Sequence, residues 1–139
     1  MASKRPRVSH AEYQALASLR YALRQFLHFS EQSAAGGGLT PQQHQALLAI
    51  KGFRTHRMTI GELAERLQLR HHSAVGLANR LVVQGLARRE RSKSDRRQVY
   101  LLLSRRGEAV LEKLSATHKE ELRRIGPEIK ALLERLRGS

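Results

Sequence analysis

The most informative helix and strand signals of this chain lie in TIGELAERLQLRHHSAVGLANRLVVQGLARRERSKSDRRQVYLLLS, residues 59–104. It opens with a threonine three residues before Glu62, a capping box that predicts a short helix through Leu67. A second helix is predicted over about residues 71–84, where small and apolar side chains repeat at three- and four-residue steps: Ala74, Leu77, Ala78 and Leu81. Gly85 is placed to end that helix in the left-handed conformation. Two short helices joined by a tight turn indicate a helix-turn-helix.

A β-hairpin is predicted directly after the second helix. Its strands are residues 86–91 and 98–103, and the second strand alternates Val99, Leu101 and Leu103 onto one side. The connecting loop, residues 92–97, holds three cations, one carboxylate and no apolar residue. A hairpin in this position is the wing of a winged helix-turn-helix.

Helices are predicted on the amino-terminal side of this stretch. Thr40, Pro41 and Gln43 form a complete helix start, and the helix should end near Gly52 with three apolar side chains facing inward: Leu47, Leu48 and Ile50. An amphipathic helix is expected over residues 9–32, with apolar positions at Leu16, Leu19, Leu23, Phe26 and Leu27. Residues 34–38, AAGGG, are expected to end it and form a flexible connector.

On the carboxyl-terminal side, Ser104 can cap a further helix with a nearly heptad apolar stripe. Gly126-Pro127 is expected to break it, so that a separate last helix runs through Leu136. The expected fold is mainly α with a small β-hairpin, a single domain over residues 1–139. In it a winged lobe (39–103) is flanked by dimerisation helices (9–32 and 104–139). The alternative is a monomer whose terminal helices pack on their own lobe.

The charge of the chain predicts a polyanionic partner. The 139 residues carry 26 Lys and Arg against 12 Asp and Glu, a net charge of +14, and residues 51–106 alone hold fourteen cations and four acids. Aromatic residues are only 4%, too few for the base-stacking platforms of many single-strand and RNA binders. Duplex DNA is therefore the favoured partner. A basic stretch that is merely a solvated face is the alternative.

Several functional classes are disfavoured by composition. The chain has no Cys, which excludes a disulfide framework, a thiolate metal site and a thiol redox switch. The histidines show no metal-ligand spacing, and no cofactor is expected. An enzyme acting on nucleic acid is disfavoured because two of the four acids in residues 51–106 already have structural uses, Glu62 in a cap and Asp95 in the wing. No apolar run reaches a membrane span or follows the basic amino terminus, so a cytoplasmic protein with no membrane partner is expected.

The candidate DNA-binding residues of the helix-turn-helix lie on its second helix. An α-helix fits the major groove and reaches base edges with its amino-terminal residues, which here are Arg70, His71, His72 and Ser73. Farther along the helix, Gly76 leaves room for close approach of the backbone, Asn79 could read adenine, and Arg80 lies on the outer face. For the two histidines, the alternative is a pair of solvent-exposed neutral rings.

The wing adds four candidate residues, Lys93, Asp95, Arg96 and Arg97. A cationic hairpin tip can enter the minor groove, where A·T-rich sequence strengthens the negative potential. Asp95 is expected to pair with the guanidinium of Arg97 and hold it in position before binding. The alternative is a mobile surface hairpin with an incidental ion pair.

These residues resemble a known family. Residues 59–114 resemble the multiple-antibiotic-resistance regulator (MarR) family of bacterial transcription factors, and LTPQQHQALLAI (39–50) resembles the helix that precedes its DNA-reading lobe. The most specific element is the Asp-x-Arg wing motif, here Asp95-Arg96-Arg97, followed by LSRRGEAVL (103–111) in place of the family's Leu-Thr-x-x-Gly segment. Arg70 at the usual cap position and the His71-His72 pair depart from the pattern, which affects the operator rather than the fold.

The resemblance implies a sequence-specific double-stranded DNA-binding regulator, usually a repressor. It implies a homodimer with interlocking first and last helices that binds a pseudopalindromic operator. It also implies a crevice for a small aromatic or phenolic effector that relieves repression. Tyr13, Arg20 and His44 are candidate lining residues, but their spacing does not show this role, and a core or surface position is the favoured alternative for each. A non-specific architectural or nucleoid DNA-binding protein is the alternative function.

Overall fold

The computed structural model describes residues 7–137, so part of the basic amino-terminal tail and the last two residues of the segment 104–139 lie outside it. The elements follow the order α1 (His10–Gly36), α2 (Pro41–Gly52), β1 (Met58–Thr59), α3 (Ile60–Leu67), α4 (His71–Val83), β2 (Ala87–Arg91), β3 (Val99–Leu103) and α5 (Arg105–Leu136). This is the predicted mainly α winged helix-turn-helix. By their internal contacts the described residues form two compact units, 31–116 and 7–30 with 117–137.

The unit 31–116 contains the helix-turn-helix and the wing around one apolar core. Both predicted capping boxes are present, at Thr40 with Gln43 and at Thr59 with Glu62. The largest fully buried side chains come from α2, β1, α3, α4 and β3, namely Leu47, Ile50, Met58, Leu63, Leu77, Leu81 and Leu101. Leu48 was expected among them, but it is 50% exposed because its helical position points away from this core.

The hairpin is part of a three-stranded antiparallel sheet with the order β1-β3-β2. β2 and β3 form the predicted antiparallel pair, and their register runs from Ala87 opposite Leu103 to Arg91 opposite Val99. β1 was not predicted, because two residues are too few to show an alternating pattern. Its Met58 pairs with Leu101 and fills the core, so β1 attaches the start of α3 to the wing.

The first helix continues four residues beyond its predicted end. Ala34 is fully buried and belongs to the core cluster of the 31–116 unit, which keeps this part of the chain helical. The left-handed residue that ends the helix is Gly38 (φ +79°), and the N–H of Leu39 donates to the carbonyl of Ala34 at 2.9 Å. Of the three glycines, only the last acts as the helix stop.

The predicted break at Gly126-Pro127 is wrong, because α5 is one helix of 32 residues with Pro127 inside it. A proline removes one helical hydrogen bond and costs about 3 kcal/mol in a helix interior. Ile125 and Leu132 are buried on either side of it. Their packing maintains the helix through the proline, a tertiary effect that local sequence signals do not report.

The unit formed by residues 7–30 and 117–137 has a small aromatic contact and a largely exposed apolar surface. His118 packs edge-on against Phe26 and Phe29, and its Nε2 lies 2.8 Å from Oγ of Ser30. Large apolar side chains of this unit remain exposed, among them Tyr13, Leu16, Tyr21, Leu23, Leu27, Leu122 and Leu133. The predicted inward stripe of the first helix is therefore mostly uncovered within a single chain.

Within residues 7–137, no helix is both long enough and apolar enough to cross a bilayer.

Candidate nucleic-acid interface

The second helix of the helix-turn-helix, α4, has one buried and one exposed face. Its buried residues are the four predicted from the spacing, Ala74, Leu77, Ala78 and Leu81. The predicted DNA-binding residues Arg70, His71, His72, Ser73, Asn79 and Arg80 are all exposed, and Gly76 is half-buried between them. The core contacts of α4 therefore determine which side chains it presents outward.

The amino terminus of α4 lacks the usual side-chain cap. Arg70 has the extended backbone of a cap residue (φ −69°, ψ 151°) but makes no side-chain hydrogen bond to the first turn. The first turn also contains no acidic residue. Backbone N–H groups at a helix start carry partial positive charge and attract anions. A cation at this end therefore does not stabilise the helix, but together with these N–H groups it can bind an external phosphate.

Gly76 is not required by the packing of the protein itself. A Cβ built at this position would contact only the Nη1 of Arg80, at an ordinary distance of 3.5 Å. At Gly107, by contrast, a Cβ would lie 1.9 Å from the carbonyl oxygen of Leu86. Gly107 of α5 is thus explained by internal packing, whereas Gly76 of α4 is not.

The end of α4 connects the helix to the wing through a well-defined cap. Gly85 (φ +73°) donates to the carbonyl of Val82 at 3.0 Å, and Leu86 donates to the carbonyl of Leu81 at 2.9 Å. This pair of bonds is a Schellman motif. The Oγ of Ser104 donates to the carbonyl of Gly85 at 2.6 Å, so the wing is attached to the helix-turn-helix at both of its ends.

The wing loop is an ordered turn within this unit. The N–H of Ser92 donates to the carbonyl of Gln98 at 3.0 Å, and the buried Oγ of Ser92 accepts from the N–H groups of Ser94 and Asp95 at 3.3 and 3.2 Å. Lys93, Arg96 and Arg97 are exposed, and none of them belongs to an ion pair among residues 7–137. The loop therefore presents three cations whose charge is not neutralised by neighbouring side chains.

Asp95 does not pair with the guanidinium of Arg97 as expected. Its Oδ1 accepts a hydrogen bond from the backbone N–H of Arg97 at 3.0 Å, and its carbonyl accepts from the N–H of Gln98 at 3.0 Å. Asp side chains commonly bond the backbone two residues onward, because this closes a turn without ordering a long cationic side chain. Asp95 thus shapes the loop backbone and leaves the Arg97 side chain free.

The structure reveals a contact between wing and helix that sequence reasoning missed. The Nη2 of Arg89, on β2, donates to the Oδ1 of Asn79, on the exposed face of α4. Arg89 pairs across the sheet with the buried Leu101 and therefore points to the helical side. Because side chains alternate along a strand, Arg89 lies on the same face as the buried Ala87, and this signal could have been found in the sequence. Asn79 is consequently held by the wing strand in the protein without DNA.

The three candidate effector residues are divided between the two units. Tyr13 and Arg20 are exposed on α1 in the unit that contains residues 7–30, and His44 is buried on α2 in the 31–116 unit. A cleft of about 390 Å³ in the latter unit is lined by other residues, Lys51, Glu108, Leu111, Glu112 and Ser115. Among residues 7–137, no group of three His, Cys, Asp or Glu side chains could hold a metal ion.

Comparison with protein families gives one family match. The matching model, described as the MarR family, covers residues 37–98, from the connector before α2 to the end of the wing loop. The HTH-type transcriptional repressor YetL of Bacillus subtilis (strain 168) is 29% identical over 91 residues, which cover 66% of this chain and 54% of YetL. The match thus spans about half the length of that relative.

Solved structures resemble the chain over most of its length. AbsC, a MarR family transcriptional regulator from Streptomyces coelicolor, covers 97% of this chain and 100% of its own at a TM-score of 0.69 and 22% identity. A MarR family protein from Bacillus stearothermophilus covers 90% of this chain and 89% of its own, at a TM-score of 0.74 and 22% identity. A mutant of Staphylococcus aureus MepR bound to an oligodeoxyribonucleotide covers 89% of this chain and 94% of its own, at a TM-score of 0.70 and 18% identity. Residues 37–98 thus match the MarR family model, and the fold of the chain is the winged helix-turn-helix of these structures.

Proposed function

We propose that the protein is a sequence-specific regulator of transcription that binds double-stranded DNA. The observation that carries the proposal is the combination, within one compact unit, of an exposed α4 face and an ordered wing loop with three unpaired cations. Both features belong to residues 37–98, the range that matches the MarR family.

In the proposed complex, α4 enters the major groove and the wing loop enters the adjacent minor groove. Arg70, His71, His72 and Ser73 face the bases and phosphates near the start of the helix, where the uncapped N–H groups add to the attraction of an anion. Gly76 and Arg80 follow on the same exposed side. Lys93, Arg96 and Arg97 contact the minor groove and its phosphates, while Asp95 shapes the loop that carries them.

The working assembly is proposed to be a homodimer on a pseudopalindromic operator. Its support is the exposed apolar surface of the unit 7–30 with 117–137, where Tyr13, Tyr21 and Leu27 are 60%, 63% and 59% accessible. A single chain leaves this surface in water, and a second copy would cover it. In such a dimer two α4 helices about 34–36 Å apart would reach successive major grooves.

Repression is the proposed direction of regulation, because the matched relative YetL is named a transcriptional repressor. Release by a small aromatic or phenolic effector is part of the proposal, with Tyr13, Arg20 and His44 as the residues to test first. We also propose the domain organisation expected from the sequence, a winged lobe between two dimerisation segments. The proposed location is the cytoplasm. An effector would act by favouring a dimer in which the two α4 helices no longer match the groove spacing.

The proposal is tested by selecting bound fragments from the source genome at physiological salt. A regulator enriches a small set of fragments that share a two-fold symmetric sequence, each protected over two half-sites about one helical turn apart. Enrichment without a shared sequence would contradict the proposal and favour the architectural alternative. Candidate effectors are then added to the best fragment, and release is measured with the wild type and with a His44→Ala variant.

A further inference from the structure

The outer face of the three-stranded sheet carries a cluster of polar contacts centred on Arg57, the residue before β1. The Cζ of Arg57 lies 4.4 Å from the centre of the Tyr100 ring, on β3. Its Nη1 lies 3.3 Å from Oε1 of Glu90, on β2. Glu90 is directly opposite Tyr100 in the sheet, and its second oxygen is 3.6 Å from Nη1 of Arg88. One guanidinium therefore joins all three strands.

The same cluster continues to the base of the wing loop. The hydroxyl of Tyr100 donates to Oε1 of Gln98 at 3.2 Å. Gln98 in turn closes the loop, because its carbonyl accepts from the N–H of Ser92 and its N–H donates to the carbonyl of Asp95, both at 3.0 Å. A change at Arg57 would thus alter the support of the loop that holds Lys93 and Arg97. The side chain of Arg57 is 40% exposed, compared with 59% for that of Arg88 in the same cluster.

We propose that Arg57 is a positioning residue for DNA binding: its guanidinium fixes the orientation of the wing and makes no contact with the phosphates. The inference rests on the proposed function. An arginine suits this position because its planar group can stack on an aromatic ring and pair with a carboxylate at the same time. A lysine offers the same charge without the planar geometry.

The test compares two substitutions of Arg57, measuring affinity for the best selected fragment over a range of salt concentrations. Arg57→Lys keeps the positive charge but loses the planar guanidinium that stacks on Tyr100 and pairs with Glu90. Arg57→Gln loses both the charge and the guanidinium. The proposal predicts that each variant binds about three- to tenfold more weakly than wild type, with an unchanged dependence of affinity on salt. It also predicts faster amide hydrogen exchange at residues 92–98 in the protein without DNA.

Two results would overturn the proposal. If Arg57 contacts a phosphate, Arg57→Lys binds nearly as wild type and Arg57→Gln lowers the salt slope by about 0.9. If Arg57 has no role, both variants match the wild type. The matched control is Arg54→Lys, since Arg54 also lies over an aromatic ring, that of Phe53 at 5.6 Å, but belongs to no ion pair in the described chain.

A further variant distinguishes wing support from general folding. Tyr100→Phe keeps the ring under Arg57 and removes the hydroxyl that bonds Gln98, so it should weaken binding while thermal unfolding changes little. Unaltered binding by a folded Tyr100→Phe protein would also count against the proposal. A wild type that prefers no fragment would refute the proposed function itself. Specific wild-type binding that the Arg57 variants retain in full would refute only this inference.

Discussion

Replacing Gly76 by alanine should make the protein more stable and its DNA binding weaker. Glycine in a helix interior is about 1 kcal/mol less favourable than alanine. Because the added Cβ would contact only the Arg80 side chain at 3.5 Å, no internal clash opposes this gain. The free energy of unfolding should therefore rise by about 0.5–1 kcal/mol.

The effect on DNA binding has the opposite sign. Gly76 lies on the exposed side of α4, between Ser73 and Asn79. In the proposed complex this surface is packed against the major groove, and an extra methyl group in a close-packed contact costs about 1–3 kcal/mol. That cost corresponds to an affinity about 5- to 150-fold lower.

Urea unfolding followed by far-ultraviolet circular dichroism gives the stability, and fluorescence anisotropy with a labelled fragment gives the affinity. Both are measured at one protein concentration, because a dimer's stability depends on it. The control is Gly107→Ala, whose Cβ would meet the carbonyl oxygen of Leu86 at 1.9 Å and which should lose about 1–3 kcal/mol of stability. A stabilised Gly76→Ala protein with wild-type affinity would refute the placement of this helix face on DNA.

Three further predictions concern the helix-turn-helix and the wing. Gln68→Gly should raise the free energy of unfolding by about 0.5–1 kcal/mol in urea titrations, because Gln68 ends α3 with φ +56°; a loss of stability would count against strain at this turn. Thr59→Ala removes the cap of α3 and should lower stability by about 1 kcal/mol in the same assay, and no change would show that the cap contributes little. Arg97→Ala should cost about 1–3 kcal/mol of binding and relax sequence preference, whereas Lys93→Ala should weaken all sequences alike and lower the salt slope by about one. Equal effects of the two would argue against a positioned minor-groove arginine.

Features decided by neighbouring residues were predictable from the sequence. The capping boxes at Thr40 and Thr59 and the glycine stop at Gly85 depend on side chains within a few positions of one another, and the structure has all three. The buried face of α4 was equally readable, because helical spacing alone determines which residues share a face. These local signals were sufficient for the winged helix-turn-helix.

Features decided by distant contacts were not predictable in this way. Pro127 stays inside a helix because buried residues on both sides of it pack within their unit. The two residues of β1 are a strand only because β3 lies beside them. Asn79 was interpreted as a reader of adenine, and nothing close to it in sequence shows that Arg89 occupies its amide oxygen. Base reading by Asn79 stays a prediction. It now requires Arg89 either to release the amide oxygen of Asn79 or to enter the groove together with Asn79.

The proposed function requires a chain with a net charge of +14 to recognise one DNA sequence rather than polyanions in general. The most direct test is the ratio of its affinities for the best selected fragment and for a scrambled duplex of equal length and composition, at one physiological salt concentration. A regulator should prefer its site by about 10³-fold or more. A ratio near one would contradict sequence-specific recognition, because charge alone would then explain the binding.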